Sequence, residues 1–368
     1  MSQIQITSHS QLGVFESCAK KWEYEYLLKQ RIKSEQNYFI IGVMCHESIE
    51  EHNTNGTPVL AALGDLWTQW LRDRRLGHLR TELANVANDL SNLYRRASAG
   101  YTGPDRIRKA GDLVADHPQM TKAWKEAIVK LRIDDRQANI DRQAQQTLGD
   151  TYKAVSLVTC YSESFAIMQG YRDPDCLASI EYIEFPLSDR VFEDDSRRVL
   201  VEILNPVTMP RTGTYLNGFI DLVGRLKPEL GGGIVLLDHK TSSGGPPDEI
   251  AVSHHEQLLK YAWAWFQLTG VWPTHIGINH LRSGTCVIAP VDQDLALEVI
   301  ERQETLLLSM KQGIYPKKDP FAYGSPCLKM RDGVVSDHCP HLLKCHPKVA
   351  MRLGLLAKPL GSGLEGII

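Results

Sequence analysis

The sequence predicts an α/β protein, because apolar runs typical of strands alternate with runs whose apolar residues recur at helical spacing. The runs TYLNGFIDLVGRL and GIVLLD are separated by KPELGGG, which predicts two adjacent strands joined by a glycine-rich turn. THIGINHL and CVIAPV predict a hairpin closed by RSGT. EQLLKYAWAW precedes that hairpin and DQDLALEVIERQETLLLSMKQG follows it. Both predict helices, the second ending at Gly313.

The part of the chain before the predicted sheet has mostly helical patterning. Residues 8–29 predict one helix with an aromatic face that contains Phe15 and Trp22, and YFIIGVMCHESIEEH continues into a second helix. Residues 56–170 predict further helices without a catalytic motif, which indicates a helical insertion. Residues 176–204 then predict two strands with a polar connection.

Composition limits the protein class. The 368 residues are 43% hydrophobic and 23% charged, as in an ordinary soluble protein of one elaborated domain or two modest ones. No apolar run approaches the ~20 residues of a membrane helix, and MSQIQITSHS lacks the features of a signal peptide, so we expect a cytoplasmic protein without a membrane partner. Eight cysteines in this setting favour free thiols and metal ligands over disulfides.

Contact with nucleic acid would depend on local basic surface, because the net charge is −3. The helical insertion has a modest excess of basic residues that could follow phosphates, and aromatic residues that could stack on bases. A solvated basic face over core aromatics is the other interpretation. The residues considered are Arg74, Arg75, Arg95, Arg96, Arg106, Arg108 and Lys109, with Trp67, Trp70, Tyr94 or Tyr101 as stacking platforms.

A candidate metal site lies on the two adjacent strands. Asp221 is in the first strand, and Asp238 ends the second, with Lys240 two residues later. This arrangement would set both carboxylates side by side at a sheet edge, where their oxygens suit Mg²⁺ or Mn²⁺. A lysine beside them can position or deprotonate water and offset charge on a phosphate. The alternative is a solvated hairpin acid and an ion pair at a strand end.

Three motifs, GFIDLV, VLLDHKTS and QLLKYA, together resemble the RecB-like exonuclease branch of the PD-(D/E)XK nuclease superfamily. The resemblance implies a restriction-endonuclease-like core, a mixed central sheet flanked by helices, and metal-dependent cleavage of DNA. It implies that Lys240 and the metal activate water. The implied metal ligands are His46, Asp221, Asp238 and the backbone carbonyl of His239, and the implied orienting residues are Gln257 and Tyr261.

The piece IEFPL resembles the first sheet motif of this family, in which a glutamate supports the site. Glu184 is the residue that this resemblance selects, and Glu181 is an alternative register.

Four cysteines resemble the ligand set of the iron–sulfur members of this branch. Cys18 lies in an opening pattern S-x-L-x-x-F-x-x-C-x-x-K-W, and the tail contains Cys327, Cys339 and Cys345, the last two spaced C-x5-C with a proline after the first. The resemblance implies a [4Fe–4S] cluster that joins the two chain ends. Eleven residues separate the first two tail cysteines, against two in the family, so structural Zn²⁺ is the alternative. Its helping ligands would be His338, His341 or His346.

The expected organisation has N-terminal helices of the nuclease core at 1–55, the helical insertion at 56–170, the nuclease core at 171–315 and the cysteine-rich tail at 316–368. The expected activity is exonucleolytic cleavage of DNA ends or single strands in recombination, repair or replication. One alternative is an end-processing subunit of a larger complex, as in CRISPR adaptation, with a helicase or recombination partner. Another is a non-catalytic DNA-binding scaffold, which the intact acids and lysine disfavour. No G-x-x-x-x-G-K-[ST] motor motif occurs.

Overall fold

The computed structural model describes the chain in seven stretches. Within them, no helix is long and apolar enough to cross a membrane. The described residues are 6–30, 36–98, 118–148, 156–187, 207–321, 325–331 and 334–354.

The described elements are numbered here in chain order. The first half contains β1 Ile6–Ser8, α1 His9–Ser17, α2 Ala19–Trp22, α3 Asn37–Asn55, α4 Val59–Asp73, α5 Arg80–Ser98, α6 Pro118–Lys130, α7 Ile133–Leu148 and α8 Leu157–Gln169. The second half contains β2 Leu177–Pro186, β3 Tyr215–Asn217, β4 Phe219–Leu226, β5 Ile234–Lys240, α9 Glu249–Ser253, α10 Glu256–Thr269, β6 His275–His280, β7 Thr285–Pro290, α11 Gln293–Lys311, β8 Leu328–Arg331, β9 Val334–His338, α12 Leu342–Cys345 and α13 Pro347–Arg352.

A five-stranded sheet of order β2-β4-β5-β6-β7 forms the centre of the second half. Its β5–β6 pair is parallel and its other pairs are antiparallel. The parallel pair requires a crossover, which α9 and α10 supply. The predicted mixed α/β fold is confirmed, as are the adjacent strands β4 and β5 and the β6–β7 hairpin. Of the two strands predicted over 176–204, β2 is present and the second lies outside the described residues.

Two hydrophobic clusters hold the helices. In the first, α1, α2, α10 and α11 pack on the sheet. Helix α10 contributes Leu258, Ala262 and Trp265, which are buried there. The second joins α3, α4, α5, α7 and α8, with Leu281 from the end of β6 among its members. Helix α3 therefore packs among the helices of the first half of the chain. Leu281 brings the end of the sheet into the same cluster.

One predicted stacking platform is instead a core residue. Trp67 is 1% exposed in the second cluster, and its indole Nε1 donates to Ser164 Oγ at 3.0 Å. Its burial and hydrogen bond leave no ring face for a base, so the expectation for this residue was wrong. Trp70 beside it is partly buried, and the Arg74 guanidinium lies 4.1 Å from its ring centroid.

The single helix predicted over residues 8–29 is broken. Helix α1 ends at Ser17 because Cys18 adopts extended backbone angles, φ −160° and ψ 101°. The chain re-enters a helix at Ala19 and continues as a π-helical turn over Glu23–Leu27. The helical periodicity was correct on both sides of the break, since Phe15 and Trp22 are buried together. The break occurs at the cysteine whose thiol lies near the tail.

Candidate active site

Three acidic residues occupy matching positions on three neighbouring strands. The ladder pairs Ile183 with Leu222 and Phe185 with Ile220, so Glu184 stands opposite Asp221. On the other side of β4, Leu222 pairs with Leu237 of β5. Asp221 therefore stands opposite Asp238. Directly opposed residues lie about 5 Å apart, so a row of carboxylates crosses β2, β4 and β5. The acids were expected at a sheet edge, but β4 and β5 are interior strands.

Glu184 has an unusual backbone. Its φ of 48° lies in the left-handed region, which costs a residue with a side chain of order 1–3 kcal/mol and is enriched at active sites and ligand clamps. Glu181, the alternative register, is directed elsewhere: it accepts from Arg225 Nε at 3.3 Å and from Ser179. The resemblance gave Glu184 a supporting role, whereas the structure brings it into the acidic row.

His46 of α3 lies beside this row, at the end of β5. Its Nε2 lies 2.9 Å from the carbonyl oxygen of His239, and its Nδ1 lies 3.5 Å from Asp221 Oδ2. The Nδ1 atom of His46 and the Asp221 carboxylate therefore face each other, as two ligands of one cation do. The ligand atoms of His46, Glu184 and Asp221 all lie within 4.8 Å of one another.

Asp238 takes part in a different set of contacts. Its Oδ2 lies 2.5 Å from Lys240 Nζ, and its Oδ1 accepts from Gln257 Nε2 at 3.0 Å. Gln257 also accepts from Lys240 at 3.4 Å and donates to the Tyr261 hydroxyl at 2.9 Å. The structure thus brings all the predicted active-site residues together in two adjoining groups. In this structure both Asp238 oxygens are directed to the lysine and glutamine.

Burial controls the protonation of this site. Burial and the neighbouring Asp238 carboxylate raise the pKa of Asp221 to about 6, although His46 and the backbone N–H of His239, 2.7 Å away, act in the opposite direction. Burial, then the charges of His46 and Lys240, lower the pKa of His239 to about 3, so its ring is neutral. Burial and the nearby carboxylates raise the pKa of Tyr261, which keeps its hydroxyl protonated.

The donor set fits a hard divalent cation. Carboxylate oxygens, one imidazole nitrogen and a nearby backbone carbonyl are ligands suited to Mg²⁺ or Mn²⁺. Such an ion, when bound, would act as a Lewis acid on a phosphoryl oxygen and lower the pKa of water. The raised pKa of Asp221 is the expected result of crowding two carboxylates in a buried place, and a dication would offset that repulsion.

The segment after Lys240 is held by residues that no sequence motif indicated. Arg282 donates from Nε to the carbonyl of Thr241 at 2.7 Å and pairs with Glu163 of α8 at 2.6 Å. His280 Nε2 lies 3.1 Å from the carbonyl of Ser242. These contacts tie the strand end that carries the lysine to the helical cluster. Contacts of this kind depend on pairings between distant parts of the chain, which a local pattern does not encode.

The four predicted cofactor cysteines also come together. Cys339 N donates to the carbonyl of Cys327 at 2.9 Å. The thiols of Cys327, Cys339 and Cys345 each have Cys18 as an electrostatic neighbour, and burial, more than these neighbours, raises the pKa of all three. Among the described side chains, no three of the four thiols all lie within 4.8 Å of one another. The ligand atoms of His46, Glu184 and Asp221 do.

The tail is attached to the N-terminal helices by protein contacts as well. His341 is fully buried and stacks on the Tyr24 ring with centroids 5.1 Å apart. Its Nε2 lies 3.6 Å from Glu25 Oε1. Lys344 donates to Gln30 Oε1 at 2.8 Å. The two ends of the described chain therefore pack against each other around the cysteines.

Part of the predicted basic surface lies outside the described side chains. Arg106, Arg108, Lys109 and Tyr101 lie outside the described residues, and of Tyr94, Arg95 and Arg96 only the helical backbone is described.

Comparison with known proteins agrees with this geometry. A model of the PD-(D/E)XK nuclease superfamily matches residues 6–284. The match includes α3 with His46, the acidic row, Lys240 and the α10 pair of Gln257 and Tyr261. No curated protein matches the chain. Because the match covers well over half of the chain and contains the acidic row, His46, Lys240, Gln257 and Tyr261, this protein belongs to the PD-(D/E)XK nuclease superfamily, a family of nucleases that cleave phosphodiester bonds.

Proposed function

We propose that this protein is a metal-dependent DNA exonuclease of the RecB-like branch. The observation that carries the proposal is the row Glu184, Asp221 and Asp238 with Lys240 at its end. This arrangement combines hard ligands for a divalent ion with a positive charge beside them. The RecB-like assignment is supported by Gln257 and Tyr261, since both residues of the Q-x-x-x-Y motif are in the hydrogen-bonded chain that reaches Asp238.

Each residue has a task that follows from its contacts. His46, Glu184 and Asp221 would hold the ion, and the backbone N–H of His239 fixes the Asp221 carboxylate. Lys240 lies beside Asp238, where its ammonium group can stabilise charge that develops on the phosphate. Gln257 and Tyr261 keep the lysine and Asp238 in one arrangement, which limits the reorganisation needed during the reaction.

We also infer that Cys18, Cys327, Cys339 and Cys345 hold a [4Fe–4S] cluster. The support for the cluster is the ligand pattern: Cys339 and Cys345 are spaced C-x5-C with a proline after the first, and Cys18 is an electrostatic neighbour of all three tail thiols. Structural Zn²⁺ is the alternative, because it also takes four thiolates.

The activity assay uses linear and circular DNA, single- and double-stranded, with Mg²⁺, Mn²⁺ or EDTA. We expect mononucleotides or short oligonucleotides to be released from linear substrates with either metal, and no cleavage in EDTA. Blocking the 5′ end and the 3′ end in turn will identify the polarity. Cleavage of covalently closed circles at the same rate as linear DNA would contradict an exonuclease, and no cleavage of any substrate would contradict a catalytic role.

Lys240→Met should lower kcat about 10²-fold or more while KM changes little. The reason is that the lysine charge acts mainly on the transition state, and removal of one preorganised stabilising group costs roughly 3 kcal/mol. Steady-state kinetics on a linear oligonucleotide measures both constants. Lys227→Met, on the turn after β4, is the matched control and should retain the wild-type rate. A rise in KM alone for Lys240→Met would mean that this residue only helps to hold DNA.

A further inference from the structure

The chain just after Lys240 runs past the end of the β5–β6 ladder. The two strands pair in parallel as far as Lys240 and His280, and the ladder ends there. A strand that continues beyond its ladder leaves its carbonyl groups without strand partners, and other groups must bond them. The first two carbonyls at this end have such partners. That of His239 lies 2.9 Å from His46 Nε2, and that of Lys240 accepts from the backbone N–H of Leu281 at 2.9 Å.

The next two carbonyls are bonded by side chains from the end of β6. Arg282 Nε donates to the carbonyl of Thr241 at 2.7 Å, and His280 Nε2 lies 3.1 Å from the carbonyl of Ser242. A carbonyl only accepts, so Nε2 of His280 carries the hydrogen, and its Nδ1 lies 2.8 Å from the Ser283 hydroxyl. Four consecutive carbonyls, 239–242, therefore each have a protein partner.

Arg282 is itself held from its far side. Its guanidinium pairs with Glu163 of α8 at 2.6 Å, and the two side chains are only 16% and 25% exposed. The planar fork of an arginine can bond a carbonyl through Nε and a carboxylate through a terminal nitrogen at the same time, which a lysine cannot do. Leu281 beside it is buried in the second hydrophobic cluster, to which α8 also belongs. Arg282 thus joins the backbone next to Lys240 to a helix of the first half of the chain.

The position of this backbone affects where the Lys240 ammonium group lies. Its Nζ lies 2.5 Å from Asp238 Oδ2 and 3.4 Å from Gln257 Oε1. The ammonium group is carried on a flexible four-carbon stem, so its place is fixed only if both ends of the side chain are held. Asp238 and Gln257 hold the charged end, and the contacts of residues 239–242 hold the backbone end. A misplacement of about 1 Å in an active site can cost roughly 10²-fold in rate.

We propose that Arg282, held by Glu163, is a positioning residue for Lys240. Its contacts are with the Thr241 carbonyl and with Glu163, so it acts through the backbone and not on the phosphate. The proposal rests on the proposed nuclease function. It adds that α8, a helix without a catalytic motif, contributes to the rate of cleavage.

The first test is steady-state kinetics on a linear oligonucleotide. Arg282→Met removes both bonds and keeps an unbranched side chain, and we expect it to lower kcat about tenfold or more while KM changes less than about twofold. Glu163→Ala leaves the bond to Thr241 and should lower kcat by a smaller factor. It also serves if Arg282→Met does not fold. A wild-type kcat in both variants would overturn the proposal.

Arg136→Met is the matched control for stability. Arg136 of α7 is 27% exposed and pairs with Glu82 and Asp89 of α5 at 2.6 and 2.7 Å, so it joins two helices of the same cluster by comparable bonds. It has no contact with the segment after Lys240 among those bonds, and it should keep the wild-type kcat. An equal loss in Arg136→Met and Arg282→Met would refute positioning, because general loosening of the helices would then account for both.

The second test is a double-mutant cycle with Lys240→Met, measured with enzyme in excess over DNA. If Arg282 acts through Lys240, Arg282→Met should lower the cleavage rate less than about twofold once the lysine is absent. The same factor in both backgrounds would show a structural role and overturn the proposal.

Hydrogen–deuterium exchange in EDTA tests the contact without cleavage. Peptides that cover residues 239–245 should exchange faster in Arg282→Met than in the wild type and in Arg136→Met, because the segment opens more often when its side-chain donor is lost. A wild type that cleaves no DNA would refute the nuclease, and the exchange comparison would still decide whether Arg282 holds this segment. Equal exchange in all three proteins would refute the positioning contact.

Discussion

Asp221→Asn is expected to abolish DNA cleavage, with a loss of roughly 10³-fold or more. Asp221 lies in the group with His46 and Glu184, and a bound dication supplies several kcal/mol of charge stabilisation. Asp238→Asn should be equally inactive for another reason, since it removes the carboxylate that positions Lys240 and Gln257. DNA binding should survive in both variants, because phosphate contacts come from basic groups. Cleavage rates and DNA affinity are the measurements.

Metal binding should separate the two acids. Isothermal titration with Mn²⁺ should show weaker affinity for Asp221→Asn and for Glu184→Gln. A smaller change is expected for Asp238→Asn, whose carboxylate oxygens are directed to the lysine and glutamine in this structure. The matched control is Glu181→Gln, an acid on the same strand that pairs with Arg225, and it should cleave DNA as the wild type does. Wild-type cleavage by Asp221→Asn, or loss of it in Glu181→Gln, would refute the site.

Much of the sheet was predictable because its strands are separated by strong local signals. The apolar runs around Asp221 and Asp238 flank a glycine-rich turn, and a short turn leaves few registers for the pairing of β4 with β5. The opposed positions of those two acids follow from that register. The Asp-x-Lys and Gln-x-x-x-Tyr spacings are also local, and each pair is in contact in the structure.

The remaining part of the site depends on long-range packing. Glu184 reaches the row only through the pairing of β2 with β4, a ladder with two register shifts and a left-handed residue. His46 meets His239 across 193 positions of the chain, a contact set by the docking of α3 on the end of the sheet. Hydrophobic periodicity depends only on residues that are close to one another along the chain. It could not have chosen between Glu181 and Glu184, nor have found Arg282.

The extended backbone at Cys18 likewise could not be predicted from helix patterning. The apolar spacing continues through residues 12–26, so local propensity favours one helix. In the structure the helix is interrupted at the residue whose thiol lies near the three tail cysteines. Nothing in the local sequence resembles a helix stop, and the long-range contacts of this region include those of Tyr24, Glu25 and Gln30 with the tail.

Cys18→Ala and Cys345→Ala should therefore destabilise the whole protein and change its colour. A cluster held by cysteines near both ends closes a loop that spans most of the chain, and its loss restores much freedom to the unfolded state. Removal of a native disulfide typically costs roughly 2–5 kcal/mol, and we expect a loss of the same order here. Protein purified without oxygen should be brown, because iron–sulfur charge transfer absorbs visible light and zinc does not.

The measurements are the visible spectrum, analysis of iron, sulfide and zinc, and the melting temperature. Cys286→Ala is the matched control: this cysteine lies in β7 beside Cys176, with the sulfurs 3.8 Å apart, and has no part in the tail. It should keep the colour and the iron content, whereas both ligand variants should lose them and melt at lower temperature. A colourless wild type with stoichiometric zinc would assign the site to zinc. If the wild type contains neither metal and both ligand variants melt as it does, the packing of His341 on Tyr24 and the other tail contacts are sufficient to join the chain ends.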